Sequence, residues 1–70
     1  MKDYLLPEAD LNKLRVEHRR AKRQDKAKLA DRIKAVYLLG SGWRVSDICE
    51  ALLLDDNTIY RYYDIYSQRE

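Results

Sequence analysis

The stretch SDICEALLLDDNTIYRYYDIY, residues 46–66, carries most of two short apolar stripes that are separated by a charged break. Each stripe places its residues at i, i+3, i+4 and i+7, the spacing of one face of a two-turn helix. The first stripe comprises Val45, Ile48, Cys49 and Leu52, and the second comprises Ile59, Tyr62, Tyr63 and Tyr66. The break predicts a helix start, because Leu54 can fill a turn and Asp55 can accept hydrogen bonds from the free N–H groups of the next helix.

The same helical spacing recurs upstream, and no sustained alternation of apolar and polar residues indicates a strand. One stripe follows a proline that suits a first helical turn, and it comprises Leu11, Leu14, His18 and Ala21. Another ends at a glycine, Gly40, which is typical of a helix stop, and it comprises Leu29, Ile33, Val36 and Tyr37. The chain is therefore predicted to be all-α, with helices near residues 7–22, 26–39, 45–52 and 56–67.

The segment RRAKRQDKAK, residues 19–28, lacks large apolar residues and leaves two arrangements open. Either one long helix crosses it, or two helices meet near Gln24 and Asp25, in which case Asp25 can cap the second helix. We expect a single domain of residues 1–70, with a lead-in helix and basic connection at 1–25 and a core at 26–67. Trp43 is expected to close that core, because the only Trp of so small a chain is usually buried.

The composition argues against several classes of protein. Cys49 is the only cysteine, so no internal disulfide can form, in keeping with a reducing compartment. The N-terminus does not resemble a signal peptide, and no window approaches the roughly 20 apolar residues of a membrane span. His18 has no second histidine with which to share a metal, and no glycine-rich loop is available for a phosphate. We therefore expect a cytoplasmic protein with no enzymatic activity, cofactor, metal, small-molecule ligand or membrane partner.

Charge is distributed unevenly along the chain. Residues 10–34 hold ten Lys and Arg against four Asp and Glu, a net +6, whereas residues 40–70 hold three against six, a net −3. This asymmetry indicates an anionic partner for the basic half, although a solvated helix surface would have the same composition.

Two short helices joined by a tight turn form a helix-turn-helix unit when their apolar residues follow a fixed spacing. Counted from Val45, the fourth, fifth, eighth, tenth, fifteenth and eighteenth positions must be apolar or small, and they are Ile48, Cys49, Leu52, Leu54, Ile59 and Tyr62. Cys49 fills the position where the two helices touch, so we interpret it as a core residue and not as a nucleophile. Two positions depart from the pattern: Leu53 stands where glycine is usual in the turn, and Arg44 stands at an N-cap but cannot accept a hydrogen bond.

The segment RIKAVYLLGSGWRVSDICEALLLDDNTIYRYYDIY, residues 32–66, resembles the N-terminal helix-turn-helix of bacterial insertion-sequence transposases of the mariner-like superfamily. The residues that carry the resemblance are Arg32, Gly42, Trp43, Ile48, Cys49, Leu52, Asp55, Thr58, Ile59, Arg61, Tyr62 and Tyr66. The preceding segment LPEADLNKLRVEHRRAKRQDKAKLADR is similar to the lead-in helix and basic connection of that family, so the resemblance covers nearly the whole chain.

The resemblance implies a small helix-turn-helix (homeodomain-like) bundle of about four helices, with a break between the lead-in helix and the helix that contains Arg32. It also implies sequence-specific binding of double-stranded DNA at a transposon end, within the bacterial cytoplasm and its nucleoid. The acidic catalytic triad of these transposases is missing from the 70 residues, so we expect an excised domain, a truncated element or a small protein that kept only the DNA reader.

The second short helix would be the recognition helix, which enters the major groove with its N-terminal part. The residues expected to read bases are Asn57, Tyr60 and Arg61, since Asn can pair with adenine and Arg with guanine. The residues expected to contact phosphates are Arg19, Arg20, Arg23, Lys26, Arg44 and Thr58. Thr58 has a second expected role, a backbone hydrogen bond in the first turn. The tyrosines of the apolar stripe are interpreted as core or partner surface and not as stacking platforms.

Two other functions remain compatible with the sequence. A stand-alone small transcriptional regulator would bind an operator-like site with the same motif. A helical protein-interaction or dimerisation module would use the tyrosine-rich helix as a partner surface, and a homodimer is a further state that the sequence leaves open.

Overall fold

The structure, a computed structural model, describes residues 4–68 and contains four α-helices. They are α1 (Glu8–Arg23), α2 (Ala27–Gly40), α3 (Val45–Leu52) and α4 (Asp56–Gln68). No strand occurs among the described residues, so the all-α prediction is confirmed, and each predicted helix is found within about a residue of its expected bounds. Residues 1–3 of the lead-in segment and residues 69–70 lie outside the described residues.

Helix α2 occupies the centre of the bundle. It packs against each of the other three helices, whereas α1 runs alongside α2 alone and α3 also packs on α4. Its buried residues are Ala30, Ile33, Ala35, Val36, Leu39 and Gly40. Because they project from more than one side of a helix with 3.6 residues per turn, α2 can be covered by neighbours on several sides.

Two apolar clusters make up the core. The first joins α1 to α2 and comprises Leu14, Ala21, Ala30, Ile33 and Val36, and the second joins α2 to α3 and α4 and comprises Ala35, Leu39, Ile48 and Ile59. Tyr62 and Tyr63 pack against both clusters and so connect them. Ile48 and Ile59 are fully buried with Leu52 and Leu54 packed beside them, which confirms the predicted register of the two short helices.

The first three helices each end in the same type of turn, in which one residue takes a left-handed conformation. After α2, the N–H of Trp43 bonds to the carbonyl of Leu38 at 3.1 Å and the N–H of Gly42 to that of Leu39 at 3.2 Å. The corresponding hydrogen bonds, each to a carbonyl five residues earlier, run from the N–H of Lys26 to Ala21 after α1 and from the N–H of Leu54 to Cys49 after α3. The left-handed residues are Asp25, Gly42 and Leu53, with φ of 61°, 102° and 56°.

The prediction that Asp25 caps α2 is wrong. Lys26 is the residue before α2, and no side chain caps that helix. Asp25 instead supplies the left-handed residue that ends α1, a conformation that Asp tolerates better than most residues. Asp25 therefore takes part in the turn that ends α1 and does not cap the start of α2.

Gly40 leaves room for the side chain of Leu6, and the left-handed glycine after α2 is Gly42. The Cβ of any other residue at position 40 would lie 2.6 Å from Cδ1 and 2.8 Å from Cγ of Leu6. The N–H of Leu6 also donates to the Gly40 carbonyl at 3.0 Å. The N-terminal segment, residues 4–6, is thereby held against the end of α2.

The prediction that Trp43 closes the core is also wrong, because its side chain is 46% exposed. The turn after α2 places Trp43 outside the core. Leu38 and Val45, on either side of this turn, pack against the second cluster in its place.

Replacing Ile59 with alanine tests the α3–α4 contact. We expect Ile59→Ala to lower the free energy of unfolding by about 2–5 kcal/mol, since it opens a cavity in a fully buried site. Chemical denaturation followed by circular dichroism measures this, with Val16→Ala as the control because Val16 is 52% exposed. An Ile59→Ala protein as stable as the parent would show that the register is wrong.

Replacing Leu53 with glycine tests the left-handed turn. Leu53→Gly should raise the free energy of unfolding by about 1 kcal/mol, because glycine adopts this conformation without the clash of a Cβ atom. Leu53→Ala removes the same exposed side chain but keeps the Cβ, so it should give no comparable gain. Equal effects of the two substitutions in a denaturant titration would contradict the explanation.

Candidate nucleic-acid interface

Helix α4 presents a continuous polar face to solvent. Ile59 turns inward and is fully buried, so residues at the complementary helical positions turn outward. The exposed residues of this face are Asp56, Asn57, Tyr60, Arg61 and Asp64. The predicted base-reading residues therefore share one accessible face, and their contact with DNA stays a prediction.

The N-terminus of α4 is capped by its own carboxylates. Asp55 Oδ1 accepts the N–H of Thr58 at 3.1 Å and also the hydroxyl of Thr58, and Asp56 Oδ1 accepts the N–H of Asn57 at 2.8 Å. The hydroxyl and the N–H of Thr58 hold the pKa of Asp55 below its ordinary value. The predicted cap at Asp55 is confirmed, and a phosphate at this helix end would have to displace a carboxylate.

Thr58 serves this cap. Its hydroxyl hydrogen is directed at Asp55, and its side chain is half-buried. The expected backbone hydrogen bond of the Thr58 side chain is not the one formed, because its hydroxyl donates to the carboxylate of Asp55. A phosphate contact would require that bond to break.

Tyr60 is positioned by an aromatic residue that the sequence analysis missed. The ring of Tyr4 lies 5.9 Å from that of Tyr60 and meets the ring of Tyr63 edge to face at 4.9 Å. The N-terminal segment thus packs against α4, where Tyr4 contacts Tyr60, one of the predicted base-reading residues. The available signal was the apolar run Tyr4, Leu5 and Leu6 directly before Pro7.

The predicted phosphate-contact residues of the lead-in segment lie on exposed surface. Arg19, Arg20, Arg23 and Lys26 are all exposed, at the C-terminal end of α1 and in the connection to α2. Residues 8–40 carry ten basic against five acidic side chains, a net +5, whereas residues 45–68 carry one against five, a net −4. The helix pair α1–α2 is therefore basic, and the pair α3–α4 is acidic.

Arg44 stands apart from this basic surface, immediately before α3. Its Nε lies 3.2 Å from Oδ2 of Asp47, the only ion pair within residues 4–68. The Arg44 side chain is 82% exposed, and such surface pairs stabilise a protein little. Arg44 can therefore exchange the carboxylate for a phosphate at small cost.

The remaining reactive side chains belong to the packing of the bundle. Burial, together with the carboxylates of Asp56 and Asp55, raises the pKa of the Cys49 thiol and so disfavours the reactive thiolate. Burial and the charges of Lys22 and Lys34 lower the pKa of His18, which favours its neutral form. Among the described residues, no group of three or more His, Cys, Asp or Glu side chains is placed to hold a metal.

Comparisons with known proteins add no family to these observations. No family model, curated protein or solved structure matches the chain. None of the helices within residues 4–68 has the length and hydropathy needed to cross a membrane. A function must therefore be argued from the residues of this chain.

Replacing Asp55 with alanine should lower the melting temperature at pH 7, because the N–H of Thr58 loses its acceptor. Since folding lowers the pKa of Asp55, its stabilisation is present above the unfolded pKa of about 3.9 and is lost as the pH falls through the folded value. The difference between parent and Asp55→Ala should thus shrink below about pH 4. Thermal melts from pH 7 to pH 2 measure it, with the exposed Asp64→Ala as control. A difference that stayed constant to pH 2 would exclude this role of the carboxylate.

Proposed function

We propose that this chain binds double-stranded DNA in a sequence-specific manner through α3 and α4, as the transposon-end-binding module of a bacterial transposase. The observation that carries the proposal is the polar face of α4, which the buried Ile48–Ile59 contact turns outward. A helix held in this way across a preceding short helix can enter a major groove with its N-terminal half. The proposal assigns no catalytic step to these residues.

Base recognition is assigned to the first two turns of α4. Asn57, Tyr60 and Arg61 lie three and four residues apart, so they are neighbours on one helix face. Arg61 can donate two hydrogen bonds to guanine, and Asn57 can pair with the edge of adenine. Tyr60, whose ring packs against that of Tyr4, can contact a phosphate or a thymine methyl group.

Attraction to the phosphates is assigned to the basic pair α1–α2. The acidic side chains of α3 and α4 oppose the approach of DNA, so α4 by itself cannot supply the affinity. The exposed cations Arg19, Arg20, Arg23 and Lys26 can release counterions from the duplex, with Arg44 as a further contact beside α3. Affinity and specificity would then come from different parts of the chain.

The proposed setting is the bacterial nucleoid, where transposon ends are found. A stand-alone transcriptional regulator would use the same face of α4 on an operator, and a downstream reading frame for a catalytic domain would distinguish the transposase. Selection of binding sites from random duplexes tests the shared step. Recovery of a common sequence supports DNA reading, whereas recovery of no preferred sequence contradicts it.

Replacing Arg61 with alanine should weaken binding to the selected site by about 1–3 kcal/mol and binding to random DNA much less, since alanine cannot donate hydrogen bonds to a base. Fluorescence anisotropy with both duplexes measures the ratio of affinities. Ser67→Ala, an exposed change farther along α4, is the control. An unchanged ratio in a folded Arg61→Ala protein would remove α4 from the groove.

Replacing Arg20 and Arg23 together with alanine should weaken binding to all duplexes about equally. For each cation that no longer neutralises a phosphate, the log–log dependence of affinity on salt should also flatten by roughly 0.9. Lys13→Ala is the control, because Lys13 is an exposed cation nearer the start of α1 and is not among the assigned phosphate contacts. An unchanged salt slope in the double variant would contradict the assignment.

A further inference from the structure

An apolar groove of about 170 Å³ opens between α1, α2 and the C-terminal half of α4. Its floor includes Leu14, Ile33 and Val36 of the first core cluster. Its rim carries two cations, Arg20 and Arg32, and one carboxylate, Glu17. The groove therefore suits an apolar side chain that is accompanied by negative charge.

The turn between α3 and α4 has the complementary shape and charge. Leu53 is 89% exposed, the highest value among the large apolar residues of the described chain. It is held in a left-handed conformation, which is unfavourable for a residue with a Cβ atom. Glu50, Asp55 and Asp56 surround it in sequence and are all exposed. Leu53 is thus an apolar knob within an acidic turn.

We propose that Leu53 of one copy of this chain inserts into the α1–α2–α4 groove of a second copy, with the acidic turn facing Arg20 and Arg32. The argument for a second copy is charge complementarity, since residues 45–68 carry a net −4 and residues 8–40 a net +5. The contact also covers the exposed leucine and the apolar floor of the groove together.

The contact joins two different surfaces of the chain. The knob precedes α4, whereas Ile65 and Tyr66 line the groove near the other end of that helix. Ten residues of helix separate Asp56 from Tyr66, which is about 15 Å, so a chain cannot fill its own groove with Leu53. In a pair of chains, either each knob fills the groove of the other copy, or one knob and one groove stay open and association continues beyond two chains unless a ring closes. This inference does not depend on DNA binding.

Sedimentation of the full chain in DNA-free buffer at low salt tests the proposal. The average mass should rise with concentration above that of one chain and fall again at high salt, because opposite charges are screened. A monomer at every concentration would overturn the proposal.

Substitution of Leu53 tests the knob itself. Leu53→Gly should weaken self-association roughly tenfold or more, because the variant buries less apolar surface while the fold is retained. Leu53→Met keeps an apolar side chain of similar volume and should associate within about threefold of the parent. Circular dichroism establishes that both variants are folded. Association of Leu53→Gly at the strength of the parent would overturn the proposal.

A charge exchange tests the orientation of the two copies. Arg20→Glu and Glu50→Lys place like charges across the contact, so each should weaken association about tenfold. The chain with both substitutions restores opposite charges and should return to within about threefold of the parent. Failure of the double variant to recover would overturn the assignment of these surfaces.

Discussion

The fold depends on the burial of α2, the one helix that packs against all the others. A chain of 70 residues can form only a small core, so one helix must serve several neighbours. Tyr62 and Tyr63 connect the two core clusters on either side of α2, and this fixes the rotation of α4. The exposed position of Arg61 is therefore a consequence of packing at the centre of the molecule.

In the proposed binding of DNA, the carboxylates at the start of α4 would separate base recognition from the attraction of phosphates. Because Asp55 and Asp56 accept the first N–H groups of the helix, α4 has no free anion site at its terminus. Under that proposal, the cations that attract phosphates would be supplied by α1 and by the connection to α2. Arg20 belongs both to this basic surface and to the rim of the groove proposed for a second copy, so DNA and self-association would compete for it.

Much of the fold follows from local patterns in the sequence. The spacing of Ile48 and Ile59 predicted the contact between α3 and α4, and Asp55 was correctly predicted to cap α4. These features depend on residues close together in the chain, whose interactions are set by helix periodicity and by capping chemistry. For the same reason the exposed face of α4, with Asn57 and Arg61, was predictable from helical spacing alone.

The sequence by itself thus determined the four helices, the register of the helix-turn-helix and the composition of its polar face. Only the tertiary structure decided how distant segments meet. Leu6 packs on Gly40, and Tyr4 packs against Tyr60. Trp43 stays half-exposed because smaller residues fill the edge of the core. Such contacts depend on volumes and directions that segments far apart in sequence bring to one place, and spacing along the chain does not encode them.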